Sequence, residues 1–243
     1  MAAALGIDGC RDGWFWFRFD HGVGTFGVAD TVAALVAELP EGSCALIDIP
    51  IGLRARGKRE RLCDVEARER LGPRGSSVFA APLRPVLRAK DYASANAQQK
   101  RLSGRGLSRQ TWNIVPKIRE VDELMRADER ARELLREAHP ELVFTGLAGG
   151  PMSHPKKTRD GFTERMTILS ILHPDAETLV ASAFLAHGGF DASRDDVVDA
   201  FVLALAATRG EELASLPAEP EVDAQGLPMR ISYVPGAGFP AAS

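Results

Sequence analysis

The sequence predicts an α/β fold, a mixed sheet with helices on both faces. Three observations carry that prediction. The first 50 residues alternate as strand, strand, strand, helix, strand. The segment Cys44–Asp48 is apolar on both faces, as a buried parallel strand is. Most of the rest has helical spacing or turn chemistry.

The elements follow in order. Strand one runs over about Ala4–Asp8 and ends in the turn sequence Gly9-Cys-Arg-Asp-Gly13. Trp14–Phe19 reads as an aromatic strand, and Asp20-His21-Gly22 as a hairpin turn into Val23–Val28. Asp30 and Thr31 can cap a helix through Leu39, with Val32, Leu35, Val36 and Leu39 on one face. Pro40-Glu-Gly42 ends it before the strand Cys44–Asp48. Gly52 to Ala138 is Arg-rich and mostly helical. Helices are predicted over Lys58–Leu71 and Asp91–Leu102, and the longest pattern spans Ser108 to Ala138 with Pro116 in its first turn or at a kink. Gly75–Phe79 with Pro82 and Pro85 marks irregular backbone. A fifth strand is predicted at Glu141–Thr145, a loop at Gly146–Gly161, and helices over Phe162–Ile171, Ala176–Leu185 and Asp196–Arg209. A last strand, Met229–Val234, is expected to edge the sheet, and the tail after Phe239 to fray.

Composition narrows the function classes. With 243 residues and 45% hydrophobic content the chain can bury a real core. No apolar run reaches the roughly 18 residues of a membrane span, and the N-terminus lacks the pattern of a signal peptide. Three cysteines (Cys10, Cys44, Cys63), none in a CxxC pair, argue against a zinc knuckle or a disulfide framework. A cytoplasmic location is expected. Walker A, GxGxxG, HExxH and GxSxG motifs are absent. The net charge of −3 conceals a basic stretch: Arg54–Arg109 holds 15 Lys/Arg against 5 Asp/Glu. Two readings stand level for it, contact with a polyanion or a pair of solvated helices.

The chemistry-bearing candidates are acids. Asp8 and Asp48 each end an apolar strand, where a bare charge costs several kcal/mol to bury. Asp196 and Asp199 lie three apart at the start of an apolar helix and share a face. Asp195 or Asp196 can be explained as a helix cap; Asp199, beside Ala200, cannot. Strand-end carboxylates and a helix-borne pair can converge on a divalent cation, which metal-assisted phosphodiester cleavage needs. Glu141 is a further candidate ligand or else an exposed acid at a strand entry. His139 is read as a packed or capping histidine, not a general base. Lys156, Lys157 and Thr158 lie in a loop that can grip a phosphate or simply be solvated. Arg74, Ser76 and Ser77 can present donors to an anion, and Lys117 and Arg119 sit near a helix start. Trp14, Trp16 and Trp112 are read as core or cover.

The acids in Gly6-Ile-Asp8-Gly, Ile47-Asp-Ile-Pro50 and Asp196-x-x-Asp199-Ala resemble the acidic core of the ribonuclease H-like superfamily, and the last helix resembles that of RuvC-type junction resolvases. Over nearly its full length the chain resembles the bacterial domain of unknown function 429 family, described as predicted RNase H-like nucleases. The matching stretches are Gly6-Ile-Asp-Gly-Cys-Arg-Asp-Gly-Trp14, Ile47-Asp-Ile-Pro-Ile-Gly-Leu53, Cys63-Asp-x-x-Ala67-Arg, Ser76-Ser-Val-Phe79, Pro116-Lys-Ile-Arg-Glu-Val-Asp122, His139-Pro-Glu141 and Lys156-Lys-Thr158.

The resemblance implies a ribonuclease H-like mixed five-stranded sheet in one domain, residues 1–243, with a basic helical insertion at about 54–138. It implies two Mg²⁺ or Mn²⁺ ions shared by Asp8, Asp48, Asp196 and Asp199, with Asp8 bridging them, and a catalytic set of these acids and Glu141. Arg74, Ser76, Lys117, Arg119, Lys156 and Lys157 are the phosphate-binding candidates. The expected function is a divalent-metal-dependent nuclease acting on DNA or RNA, with a homodimer as an option. The alternatives are a nucleic-acid or nucleotide binding protein of the same fold without catalysis, and a phosphotransferase of the actin-like and sugar-kinase group. That group needs a second domain and a Gly/Ser/Thr-rich loop where this chain has Cys10-Arg-Asp-Gly13.

Overall fold

A computed structural model describes residues 2–187 and 193–236. The tail after Phe239 lies outside the described residues. β1 (Ala4–Cys10), β2 (Gly13–Asp20) and β3 (Val23–Ala29) form an antiparallel meander. His21 and Gly22 take positive φ (51° and 79°), as a two-residue hairpin turn requires. Helix α1 (Val32–Ala37), capped by the Thr31 hydroxyl, leads into β4 (Cys44–Ile47), which runs parallel to β1. β5 (Leu135–Glu137) lies parallel to β4 and completes a five-stranded mixed sheet in the order β3-β2-β1-β4-β5.

Between β4 and β5 lie α2 (Leu62–Leu71), 3-10 turns at Gly72–Ser77 and Arg84–Arg88, α3 (Tyr92–Ser103), α4 (Arg109–Ala127) and α5 (Glu129–Leu134). After β5 come α6 (Pro140–Ala148), α7 (Arg159–Leu172), α8 (Ala176–His187) and α9 (Arg194–Ala207). β6 (Ala214–Val222) and β7 (Pro228–Tyr233) pair with each other. No helix of the described residues is long and apolar enough to cross a membrane.

Side chains alternate across the strands, and the alternation sorts the core. Ala4, Phe15, Phe17, Phe19, Cys44 and Leu46 pack under α6 to α9 on one face. Leu5, Ile7, Trp14, Ala45 and Ile47 pack under α1, α4 and α5 on the other. A third cluster joins α2 to the β6–β7 hairpin through Cys63, Ala67, Leu71, Leu216, Ile231 and Tyr233.

The structure corrects three expectations. Glu141–Thr145 is not a strand but the first turns of α6. A short apolar run does not separate strand from buried helix by periodicity, and Pro140 at the first helical position favours the helix. The fifth strand is Leu135–Glu137 instead. The long pattern Ser108–Ala138 is two helices and that strand, with Pro116 inside α4; Asp128, in extended backbone, accepts the N–H of Arg130 at 2.9 Å and starts α5. The last strand does not edge the main sheet but pairs with β6, whose Pro217 and Pro220 hid its strand character.

Two features hold this arrangement. The first is the crossing of α9 over β1. A Cβ built on Gly6 would lie 2.1 Å from the Ala200 carbonyl oxygen and 2.2 Å from the Ala204 nitrogen. The helix backbone therefore rests on the strand backbone, and one turn before this crossing α9 carries Asp196 and Asp199. The second is a buried ionic network. Arg61, 3% exposed, binds both carboxylate oxygens of Asp64 and of Glu137, and its Nη1 also donates to the carbonyls of Ile51 (3.1 Å) and Gly52 (3.2 Å). Glu137 Oε2 accepts the Ile51 N–H at 2.7 Å. The end of β5, the start of α2 and the chain just after Asp48 are thus tied at one guanidinium. Burial pushes the Glu137 carboxyl up to about 7 against the pull of Arg61.

Gly6→Ala is expected to destabilise the protein by about 3 kcal/mol, the upper end of overpacking costs, because both atoms it meets are backbone. For a chain of this size that is a fall in Tm of roughly 6–12 °C, measured by calorimetry. Arg61→Met leaves two buried carboxylates without their cation and is expected to cost about 3–5 kcal/mol in urea denaturation. Glu137 has a raised value in the folded state, so it takes up a proton more readily there. The loss is therefore expected to be smaller at pH 5 than at pH 8; equal losses at both pH values would contradict the network.

Candidate functional site

The parity of the strands brings two acids to one place. Ile7 and Ile47 are register partners, so Asp8 and Asp48 follow side by side, and the Asp48 N–H continues the ladder to the Ile7 carbonyl at 3.1 Å. Asp8 shares the parity of Ala4 and Gly6, and Asp48 that of Cys44 and Leu46, so both belong to the α9 face of the sheet. They stand at the carboxyl edge of parallel strands, where α/β sheets place ligands.

Helix α9 supplies the other pair. Its cap is Ser193, whose Oγ accepts the Asp196 N–H while Asp196 Oδ2 accepts the Ser193 N–H at 2.7 Å. Asp196 is thus partly committed to a capping box. Asp199 is 2% exposed and receives Lys156 Nζ at 2.6 Å. Asp8 Oδ1 accepts the N–H of Gly9 at 2.7 Å.

The electrostatics record the convergence. Burial, then Asp48, Asp199 and Asp196, hold the Asp8 carboxyl well above its ordinary value, and only Lys156 counters them. Burial also raises Asp48, relieved by His139 and Lys156 and aggravated by Asp199. Burial raises Asp196 against its hydrogen bonds to Ser193. Burial opposes the charge of Lys156, but Asp199, Asp8 and Asp48 outweigh it and hold the ammonium protonated. One lysine is therefore the cation these acids share.

Lys156 is delivered by a braced loop. Arg74 donates to the carbonyls of Met152 (3.0 Å) and Ser153 (2.7 Å), and Glu164 accepts the N–H groups of Ser153 and His154. Arg165 donates to the carbonyls of His154 and Gly161 and is paired with Glu141 at 2.6 Å; both side chains are buried. Glu141 and Arg74 thus serve the loop: Glu141 spends its charge on Arg165, and Arg74 spends its donors on carbonyls. Lys157 is exposed on that loop, and Ser76 is exposed on its 3-10 turn. Lys117 donates to the Gly13 carbonyl and lies 4.5 Å over the Trp14 ring. Arg119 donates to the Leu87 carbonyl, away from the acids.

The Arg61–Asp64–Glu137 network was not legible in the sequence; only the three-residue spacing of Arg61 and Asp64 hinted at it. The place of His139 beside Asp48 was equally hidden, since its ring otherwise meets the Ser77 carbonyl at 3.3 Å.

The donor chemistry fits a hard divalent cation: four carboxylates share one lysine, although the Cys10 thiol stands near Asp8 and Asp196. Among the described residues, however, no three His, Cys, Asp or Glu side chains already form a group that could hold one ion. Asp8, Asp48 and Asp199 are the residues that would hold it, with Lys156 released from Asp199.

A family model described as "Protein of unknown function (DUF429)" matches residues 6–222. No curated protein and no solved structure matches the chain.

The raised carboxyls have a direct consequence. Their folded values exceed the ordinary 3.8 of aspartate. The stability they contribute is complete below that pH and is lost as pH rises through the raised values. In EDTA, Asp8→Asn is expected to raise Tm at pH 8 by roughly 2–4 °C, the equivalent of about 1 kcal/mol, and to have no effect near pH 4. A lower Tm in the variant at pH 8 would show that Asp8 is not under like-charge stress.

Proposed function

Because the chain belongs to the DUF429 family, whose description states no activity, its chemistry has to be read from the site, and we propose that it is a divalent-metal-dependent nuclease with a ribonuclease H-like fold. The observation that carries this reading is the gathering of Asp8, Asp48, Asp196 and Asp199 around a single lysine at the carboxyl edge of the sheet. The strand order β3-β2-β1-β4-β5, with the first three strands antiparallel and the rest parallel, supports the fold assignment.

Each residue then has a task. Asp8, Asp48 and Asp199 would hold Mg²⁺ or Mn²⁺. A bound ion of this kind supplies an activated water and neutralises charge on the phosphate. Asp196 orients the first turn of α9 through its cap, and so sets the direction of Asp199. Lys156 is 43% exposed on the rim. Once released from Asp199 it can pair with a phosphate oxygen, with Lys157 beside it. Arg74, Glu164, Arg165 and Glu141 keep that loop in place.

One observation favours a second reading, a nucleic-acid binding protein of this fold without catalysis. Lys156 already neutralises Asp199, and among the described residues no group of three ligands is ready for an ion.

The two readings separate in one assay. Purified protein is incubated with Mn²⁺ or Mg²⁺ and duplex, single-stranded, flap and junction DNA and RNA. Cleavage is expected, and Asp8→Asn is expected to reduce it by about 100-fold or more, since even outer partners of metal ligands cost about 10–100-fold. Binding without cleavage of any form, unaltered by EDTA, would replace the nuclease reading with the second.

A further inference from the structure

A groove of about 940 Å³ lies between the 3-10 turn Arg84–Arg88 and helix α4. Its walls carry five cations, Arg84, Arg88, Lys90, Arg119 and Arg126, and two acids, Asp122 and Glu123. Asp122 is already engaged: Arg84 binds it, and Arg126 stands 3.8 Å away. Arg84 is shared further with the buried Asp223. Arg88 and Lys90 are exposed and make no ion pair among the described residues. Arg119 is anchored by its Nε to the Leu87 carbonyl. Among the described residues, the groove therefore keeps two cations, Arg88 and Lys90, without an acidic partner.

Two further features give the groove a direction. The half-buried indole of Trp112 lines it, held edge-on against the Tyr92 ring at 6.3 Å. A fixed ring beside a row of cations suits a ligand that alternates aromatic groups with negative charge. A pocket for a small organic ligand is mostly apolar, with a few polar groups; this groove carries seven charged side chains among its lining residues. The second feature is α4 itself. It carries Trp112, Arg119 and Arg126 into the groove, and its Lys117 lies against Gly9, the residue after Asp8. One rigid helix thus borders both the groove and the acid cluster.

We propose that this groove binds a nucleic-acid strand, its phosphates on Arg88, Lys90 and Arg126 and a base against Trp112, as a contact separate from the acids. Phosphate contacts of this kind position a strand and do not read its sequence, and a base stacked on an aromatic ring is tolerant of base identity. The choice of a nucleic acid over another polyanion rests on the nuclease reading.

The test is binding of a labelled 20-nucleotide single strand, followed by anisotropy in EDTA so that cleavage plays no part. The double variant Arg88→Gln/Lys90→Gln removes two exposed, unpaired charges and leaves the fold intact, which circular dichroism checks. Each lost phosphate contact lowers the slope of log K against log salt by about 0.7, so the double variant is expected to lose about 1.4. It would then bind about 25-fold more weakly at 0.1 M salt and converge with the wild type near 1 M. An unchanged slope would overturn the proposal. So would failure of the wild-type protein to bind the strand, or equal binding of polyglutamate of the same length. Binding that follows the groove charges in a protein that cuts nothing would uphold the groove and remove the nuclease reading.

Discussion

The approach of α9 to β1 at Gly6 leaves no room for any side chain, because carbonyl and amide groups of the helix occupy the space where one would begin. Everything at the carboxyl edge of the sheet depends on this contact. With the helix held so close, the turn that precedes Ala200 carries Asp199 into the buried space beside Asp8 and Asp48. A larger residue at position 6 would lift the helix away from the strand, and interiors packed at protein density have little slack to absorb such a shift. The glycine is there for proximity and not for an unusual dihedral, as its φ is ordinary.

Bringing four carboxylates together works against folding. Burial raises the carboxyls of Asp8 and Asp48, and each neighbouring acid adds to the strain. One lysine opposes four acids. The imbalance leaves these acids short of positive charge. Stability is given up where these acids meet, and the rest of the fold has to supply it.

Charged groups with no direct part in the site hold its elements in position. Arg61 closes the segment after Asp48 onto Glu137 and Asp64, so the carboxyl end of β4 cannot drift. Arg165 and Glu141 perform the same office for the loop carrying Lys156, aided by Arg74 and Glu164. Buried ion pairs of this kind add little net stability relative to apolar packing. What they contribute is position: each guanidinium has several donors in fixed directions, and each meets backbone carbonyls as well as a carboxylate. Arg61 and most of the basic groove beside α4 lie in the segment between β4 and β5.

Asp8, Asp48 and Asp199 could be picked out as unusual because acids at the ends of apolar strands, or inside an apolar helix, contradict their local surroundings, and that contradiction is visible residue by residue. The hairpin at His21-Gly22, the cap at Thr31 and the alternation of β1 and β2 were legible for the same reason: each rests on neighbours a few positions apart. Glu141 shows the limit. Its apolar run suits a strand or a helix equally, and its partner Arg165 lies 24 residues away, so neither its element nor its ion pair leaves a periodic mark. Arg74 looked like a phosphate ligand because a surface arginine and one that braces a loop have the same sequence. Local spacing settles which residues share a face; only the packed chain settles which charges meet, because a charge is satisfied by whatever comes within reach in space.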